Sequence, residues 1–287
     1  MTELAPAVER LIDLALDEDV GAGDVTTEAC VAADARGRAV LLAKEPFVLA
    51  GGAVFARVFQ RVDAEVQVEL RFADGDQIEV GAEVAVVRGP LRAILVAERV
   101  ALNFLMRLSG IASGVRDMRA LIAAYPGVAL LDTRKTTPGL RALEKAAVRA
   151  GGGTNHRHGL FDGVLIKDNH IAAAGGVAEA IQRARAHCHH LLRVQCEVSS
   201  SDQIAEALDA GAGALLLDNM DEPTLKRAVE QARALRADVF LEASGNMTAA
   251  RLPRVAACGV DAISVGALTH GARAVDVSLM VAAAALE

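Results

Sequence analysis

VALLDTRKTTPGLRALEKAAVRAGGGTNHRHGLFDGVLIKDNH (128–170) sets the architecture. Two short apolar runs, 128–132 and 162–166, flank a segment with helical periodicity at 139–150. Each run ends on a charged cluster: Thr133-Arg134-Lys135 after the first, Lys167-Asp168-Asn169-His170 after the second. Apolar strands without alternation are buried on both faces, which is the mark of parallel β-α units. The same pattern continues at 193–198, 213–217, 238–242 and 261–265. The helices between these strands fit at 176–187, 202–210, 222–235 and 248–257. Such a series folds as α/β, either closed into a barrel or open and doubly wound. The glycines 151–153 end the helix before them and turn the chain.

Upstream, up to about residue 108, the pattern is α+β. An amphipathic helix fits 7–18 and is broken by Asp19-Val-Gly-Ala-Gly-Asp24. Alternating runs at 38–44, 65–72 and 83–88 predict an antiparallel sheet, with a helix at 51–62. DGDQIEVGAEVAVV (74–87) has the look of a lipoyl or biotinyl carrier hairpin. No Lys occurs between Lys44 and Lys135, so swinging-arm chemistry is excluded. Residues 91–124 are helical, with a break expected at Ser109-Gly110. An apolar helix is expected over 275–286. The domains expected are 1–108, 109–270 and a C-terminal helical segment, 271–287, packing back on the first.

The chain has 287 residues, 53% of them hydrophobic and 3% aromatic, with a net charge of −7. That apolar content excludes a disordered chain. An acidic protein nearly devoid of aromatics lacks both the field and the stacking platforms of a nucleic-acid binder. No signal peptide or bilayer-length apolar run is present, and Cys30, Cys188, Cys196 and Cys258 form no C-x-x-C. A cytoplasmic protein with reduced thiols is expected. The His187-Cys188-His189-His190 tract lacks zinc-site spacing and reads as an exposed helix end.

Charge is uneven. From Asp132 to Asp168 seven Lys/Arg face four acids, a net +3, so the remainder carries −10. Arg141, Lys145 and Arg149 recur at helical spacing; Arg141 and Arg149 read as a solvated face, and Lys145 stays open between that and a site role. The polar clusters continue at the other strand ends: Glu197, Asp218-Asn219, Ser244-Gly245-Asn246 and Gly266-Ala267. In parallel α/β folds these ends share the face that binds ligands. Arg and Lys there suit carboxylates and phosphates, and Gly turns before helices suit phosphate. Glu197 and Asp218 suit Mg²⁺, ribose hydroxyls or a carbocation.

EDVGAGDVTT (18–27), ERVALNFLMRLSGIAS (98–113), DTRKTTPGLRALEK (132–145), GGGTNHRHGLFDGVLIKDNHI (151–171), EASGNM (242–247) and ISVGALTH (263–270) together resemble the quinolinate phosphoribosyltransferases, also called nicotinate-nucleotide pyrophosphorylases (carboxylating). The resemblance spans nearly the whole chain. It implies an N-terminal α/β sandwich domain and a C-terminal, incomplete, seven-stranded α/β barrel. Six strands are assigned above; the seventh is expected in 151–160 or near the domain joint. It also implies a pentosyl-class glycosyltransferase of NAD biosynthesis. Such an enzyme joins quinolinate and phosphoribosyl pyrophosphate into nicotinate mononucleotide, with loss of pyrophosphate and CO2. Mg²⁺ is the implied cofactor, and a homodimer with shared active sites, or a hexamer of dimers, the implied assembly.

Position by position, the resemblance gives Arg134, His156, Arg157 and Lys167 to the quinolinate carboxylates, with Arg99 delivered by a neighbouring subunit. Lys135 and Lys167 fall near phosphoribosyl pyrophosphate, with Thr133 beside them. Glu197 and Asp218 fall at the ribose hydroxyls and the magnesium. Ser244, Gly245, Asn246, Val265, Gly266, Ala267 and His270 fall at the phosphates. Lys135, Lys167, Glu197 and Asp218 are the implied catalytic set. His158 departs from the usual apolar or aromatic residue and receives no role. Three other readings remain at this level: a relative from molybdenum-transport operons with another acceptor, a non-catalytic phosphate-ligand sensor, and a Schiff-base enzyme using Lys167.

Overall fold

The computed structural model describes residues 4–281. The chain divides into two compact units: 1–116, 137–152 and 272–287 form one, 117–136 and 153–271 the other.

The first unit opens with α1 (Pro6–Val20) and α2 (Val25–Cys30). Asp24 caps α2, its carboxylate accepting the amides of Thr26 and Thr27 at 3.1 and 2.9 Å. There follow β1 (Arg36–Ala43), β2 (Phe47–Val48), α3 (Gly52–Val62), β3 (Gln67–Leu70), β4 (Gln77–Ile78), β5 (Glu83–Pro90) and α4 (Leu91–Leu121). Phe47, Phe55, Phe59 and the run Val84–Val87 are buried, and the rings of Phe55 and Phe59 meet edge to face at 5.1 Å. Residues 74–87, which resembled a carrier hairpin, contribute two strands with different partners. β4 pairs with β2, and β5 pairs with β1 and β3.

The second unit holds β6 (Ala129–Leu131), after which α5 (Arg141–Ala150) returns to the first unit. Then come β7 (Val164–Ile166), α6 (Asp168–Ala174), α7 (Val177–His187), β8 (Val194–Val198), α8 (Ser201–Asp209), β9 (Ala214–Asp218), α9 (Glu222–Leu235), β10 (Phe240–Ser244), α10 (Leu252–Ala256), β11 (Ala262–Ser264) and α11 (Ala267–His270). The six strands are parallel, in the order β6-β11-β10-β9-β8-β7. All six expected strands are present. The seventh falls within 151–160 and shrinks to one residue: Thr154 bridges to Leu131 on the free side of β6. This is an incomplete α/β barrel.

Two expectations fail. α4 does not break at Ser109-Gly110. Ser109 is buried, its hydroxyl bonded to both the amide and the carbonyl of Ala50 at 3.1 and 3.2 Å. Gly110 lets the backbone of Arg273 approach so closely that a Cβ there would lie 1.8 Å from its carbonyl oxygen. The pair serves close packing inside a continuous helix. Nor does a helix occupy 275–281. β12 (Val277–Val281) pairs antiparallel with β1, giving the sheet order β12-β1-β5-β3. Val275, Val277 and Leu279 are buried while Met280 is exposed, the alternation of a strand with one face covered. Residues 282–287, the rest of that expected helix, lie outside the described residues.

Candidate active site

Period-two geometry builds the site. Side chains two apart on a strand share a face, and in a closed parallel sheet one face points inward. Gln195 and Glu197 on β8, Leu216 and Asp218 on β9, Glu242 and Ser244 on β10, and Ser264 on β11 are so related. In-register pairing aligns Glu197 with Leu216 and Ser244 with Asp218. At the strands' C-terminal ends lies a cavity of about 530 Å³. Thr133, Arg134, Lys135, His156, Arg157 and Lys167 line it on one side. Glu197, Asp218, Ser244, Gly245 and Asn246 complete it.

Local chemistry shapes each turn. Thr133 accepts the Lys135 amide on its hydroxyl at 3.0 Å, and the Thr269 hydroxyl donates to the Lys135 carbonyl at 2.7 Å. Gly266 lies against Lys135 and His270, so a Cβ on it would stand 2.9 Å from Lys135 Cδ and 3.2 Å from His270 Nε2. Thus Lys135, Gly266 and His270 gather although His270 is exposed. Val265 is buried and its amide is committed to the Leu131 carbonyl at 2.9 Å. The Val265 amide is therefore not available to a ligand at that turn.

Two asparagines adopt positive φ at the mouth, Asn219 at 54° and Asn246 at 47°. Asn219 donates to Asp218 Oδ2 at 2.5 Å and accepts from Asn246 at 3.3 Å, while its amide bonds the Ser244 carbonyl at 3.0 Å. Gly245 is required between them: its φ is 92°, and a Cβ would lie 2.1 Å from Asn219 Oδ1. From outside, Arg251 donates to the carbonyls of Met220, Gly245 and Asn246, tying the two turns together.

Charges of both signs line the cavity. Lys167 Nζ is 3.2 Å from Glu197 Oε2. Arg157 donates to the Gly163 carbonyl at 3.0 Å. Burial, followed by the charge of Arg134, lowers the proton affinity of the Arg157 guanidinium, partly opposed by Asp162. Arg134 Nε is buried without a hydrogen-bond partner. Two repelling guanidiniums, one with an unmet buried donor, make a site that an anion stabilises.

Models of two parts of one family match almost end to end: quinolinate phosphoribosyl transferase N-terminal domain over 24–109, and C-terminal domain over 111–280. The chain belongs to the quinolinate phosphoribosyl transferase family. A probable nicotinate-nucleotide pyrophosphorylase (carboxylating) of Bacillus subtilis is 41% identical over 273 residues, covering 95% of this chain and 92% of its own. A Nicotiana tabacum quinolinate phosphoribosyltransferase (decarboxylating) is 41% identical, covering 96% and 82%. The solved nicotinate-nucleotide pyrophosphorylase of Francisella tularensis superposes with a TM-score of 0.91 at 38% identity, covering 98% and 100%.

Within this family member, the sequence placed most of the cavity lining. Arg99 stands apart as an exposed residue of α4 in the first unit. Glu242, Gln195 and Arg251 were missed, and Asp132 and Asn219 were noted at strand ends without a role. The first two carried a readable signal, since each lies two residues before an assigned one, Ser244 and Glu197. Lys145 is fully buried on α5 and so is not part of a solvated face. Among the described residues no cluster of three or more His, Cys, Asp or Glu is placed to hold a metal. No helix of the described residues is long and apolar enough to cross a membrane, and the four cysteines are free.

Proposed function

We propose that this chain transfers the phosphoribosyl group of phosphoribosyl pyrophosphate to the ring nitrogen of quinolinate, forming nicotinate mononucleotide, pyrophosphate and CO2. The observation that carries the reading is the unmet, buried Nε of Arg134 beside Arg157 in a cavity that Glu197 and Asp218 also line. The first pair suits a dicarboxylate, the second a ribose.

Arg134, Arg157 and Lys167 hold the two carboxylates and turn the ring nitrogen toward the sugar, while His156, whose Nδ1 accepts the Arg157 amide and whose Nε2 faces Glu242, stands behind Arg157 and not on the substrate. Lys135, Ser244, Gly245, Asn246, Gly266, Ala267 and His270 receive the phosphates. As the C1–pyrophosphate bond breaks, positive charge develops on the ribose. Glu197 and Asp218 stabilise that charge and bind the hydroxyls. The new N–C bond leaves the ring nitrogen cationic, and the electron pair of the adjacent C–CO2 bond flows into the ring as CO2 departs. The resulting ring carbanion then takes up a proton.

Mg²⁺ keeps several waters and is held by one or two carboxylates together with substrate phosphates. Asp218 and Glu197, which line the cavity, fit that role. Held there by Asp218 and Glu197, Mg²⁺ would supply charge neutralisation for the leaving pyrophosphate. In this reading the enzyme is a cytoplasmic homodimer, with Arg99 reaching the site of the partner subunit. The test is one assay with quinolinate, phosphoribosyl pyrophosphate and Mg²⁺, with and without chelator. Nicotinate mononucleotide is the expected product; turnover of nicotinate alone in place of quinolinate refutes the reading.

A further inference from the structure

Regular hydrogen bonding stops at the barrel's seventh position. After Thr154 the chain leaves the ladder, and two buried carboxylates hold the next residues. Asp132 accepts the His156 amide at 2.8 Å on one oxygen and the Asn155 side-chain amide at 2.7 Å on the other. Glu242, in the middle of β10, accepts Gln195 Nε2 at 2.8 Å, and its Oε2 lies 3.4 Å from His156 Nε2. The other imidazole nitrogen, Nδ1, accepts the Arg157 amide at 2.7 Å. A nitrogen that accepts an N–H carries no proton, so the ring proton sits on Nε2, facing Glu242.

Glu242 is only 1% exposed. An apolar residue of that size would pack the barrel interior at lower desolvation cost, so the carboxylate is explained by what it holds. Burial raises its proton affinity, but the hydrogen bond from His156 first, then those from Gln195 and Ser264, outweigh that and hold the carboxyl below its ordinary range.

We propose that Glu242 is a positioning residue for carboxylate binding: it fixes the Nε2–H tautomer of His156, and His156 in that tautomer holds the Arg157 backbone so that the guanidinium meets the substrate. The role of Arg157 rests on the activity proposed above; the Glu242–His156 link does not.

Two measurements on the full chain test it. The first is ¹⁵N NMR of labelled histidine near pH 7.5, with His156 assigned by its loss in His156→Gln. The Nε2–H tautomer is expected in the wild type, and its signature should be lost in Glu242→Gln. An Nδ1–H tautomer in the wild type overturns the proposal, whether or not the variant folds. The second is kinetic. Glu242→Gln should raise KM for quinolinate about tenfold, the lower end for a hydrogen bond to a charged group, and KM for phosphoribosyl pyrophosphate less than about twofold. In a His156→Gln background the same change should add less than about twofold, because the two residues act in series. Equal losses in both backgrounds, or equal rises in both KM values, overturn it. A wild type without quinolinate turnover would refute the activity while leaving the tautomer result to decide the link.

Discussion

The two larger sheets of this molecule solve burial in opposite ways. In the antiparallel sheet of the first unit, Val84, Ala85, Val86 and Val87 are wholly buried beside Phe55 and Phe59. In the barrel, Gln195, Glu242, Ser264 and Asp132 occupy the interior, each at most 8% exposed. Apolar burial stabilises by roughly 25 cal/mol per Å² and asks nothing of direction. Polar burial costs free energy wherever a hydrogen bond is unmet, as at Glu242 Oε1, but the bonds that are made fix orientation. One sheet is a scaffold, and the other gives up packing energy to aim side chains.

That contrast can be broken by experiment. Phe59→Ala should have the largest effect, a loss of about 4 kcal/mol of stability from a cavity in the first core, with kcat per folded molecule unchanged. Denaturant melts and active-site titration check it, and a selective loss of kcat would erase the division of labour. Arg134→Ala should do the reverse. It should lower kcat/KM for quinolinate about 100-fold, roughly 3 kcal/mol of lost charge-assisted bonding, and leave the melt in place. Equal weakening of phosphoribosyl pyrophosphate would deny it a carboxylate role.

Gly245→Ala should be intermediate, costing about 2 kcal/mol because it combines positive φ with collision against Asn219. Calorimetry should register the loss, and KM for phosphoribosyl pyrophosphate should rise. A neutral result would mean that the turn has other conformations open to it.

The smallest effect concerns Glu45, which accepts the Asp276 amide at 2.9 Å and binds Arg273 at 3.0 Å. The Asp276 hydrogen bond first, then Arg273, hold its carboxyl below the usual range against the opposing effect of burial. Its native proton affinity is therefore lower than its unfolded one. The contribution is complete above about pH 4.5 and is lost as pH falls through the lowered native value. Amide exchange over 277–281 should accelerate in that acid window, and Glu45→Gln should abolish the dependence at a cost of roughly 0.5 kcal/mol. An unchanged profile in the variant would place the acid sensitivity elsewhere.

What could be read in advance follows the same division. The six barrel strands were legible because each is a continuous apolar run ending in charge. β12 was not, because its alternation runs into Ala282-Ala-Ala-Ala285, a run with strong helix propensity. Ser109-Gly110 looked like a break because their partners, Ala50 and Arg273, are distant in sequence. The seventh strand escaped because side-chain carboxylates replace its ladder, and no backbone periodicity records that. Arg134, Arg157, Lys167, Glu197 and Asp218 were found from their strand-end positions. Glu242 and Gln195 were hidden one pleat deeper, where polar residues were read as part of apolar strands.

β12 has a further consequence. β1 is paired on one side by β5, within the first 90 residues, and on the other by residues 277–281. During synthesis the entire barrel segment leaves the ribosome before that second partner does. Until then the nascent first sheet displays an unoccupied strand edge, Ala39 to Ala43, that is competent to pair with other chains. Closing it requires a contact spanning more than 230 residues, the kind of non-local pairing that carries a large loop-closure cost.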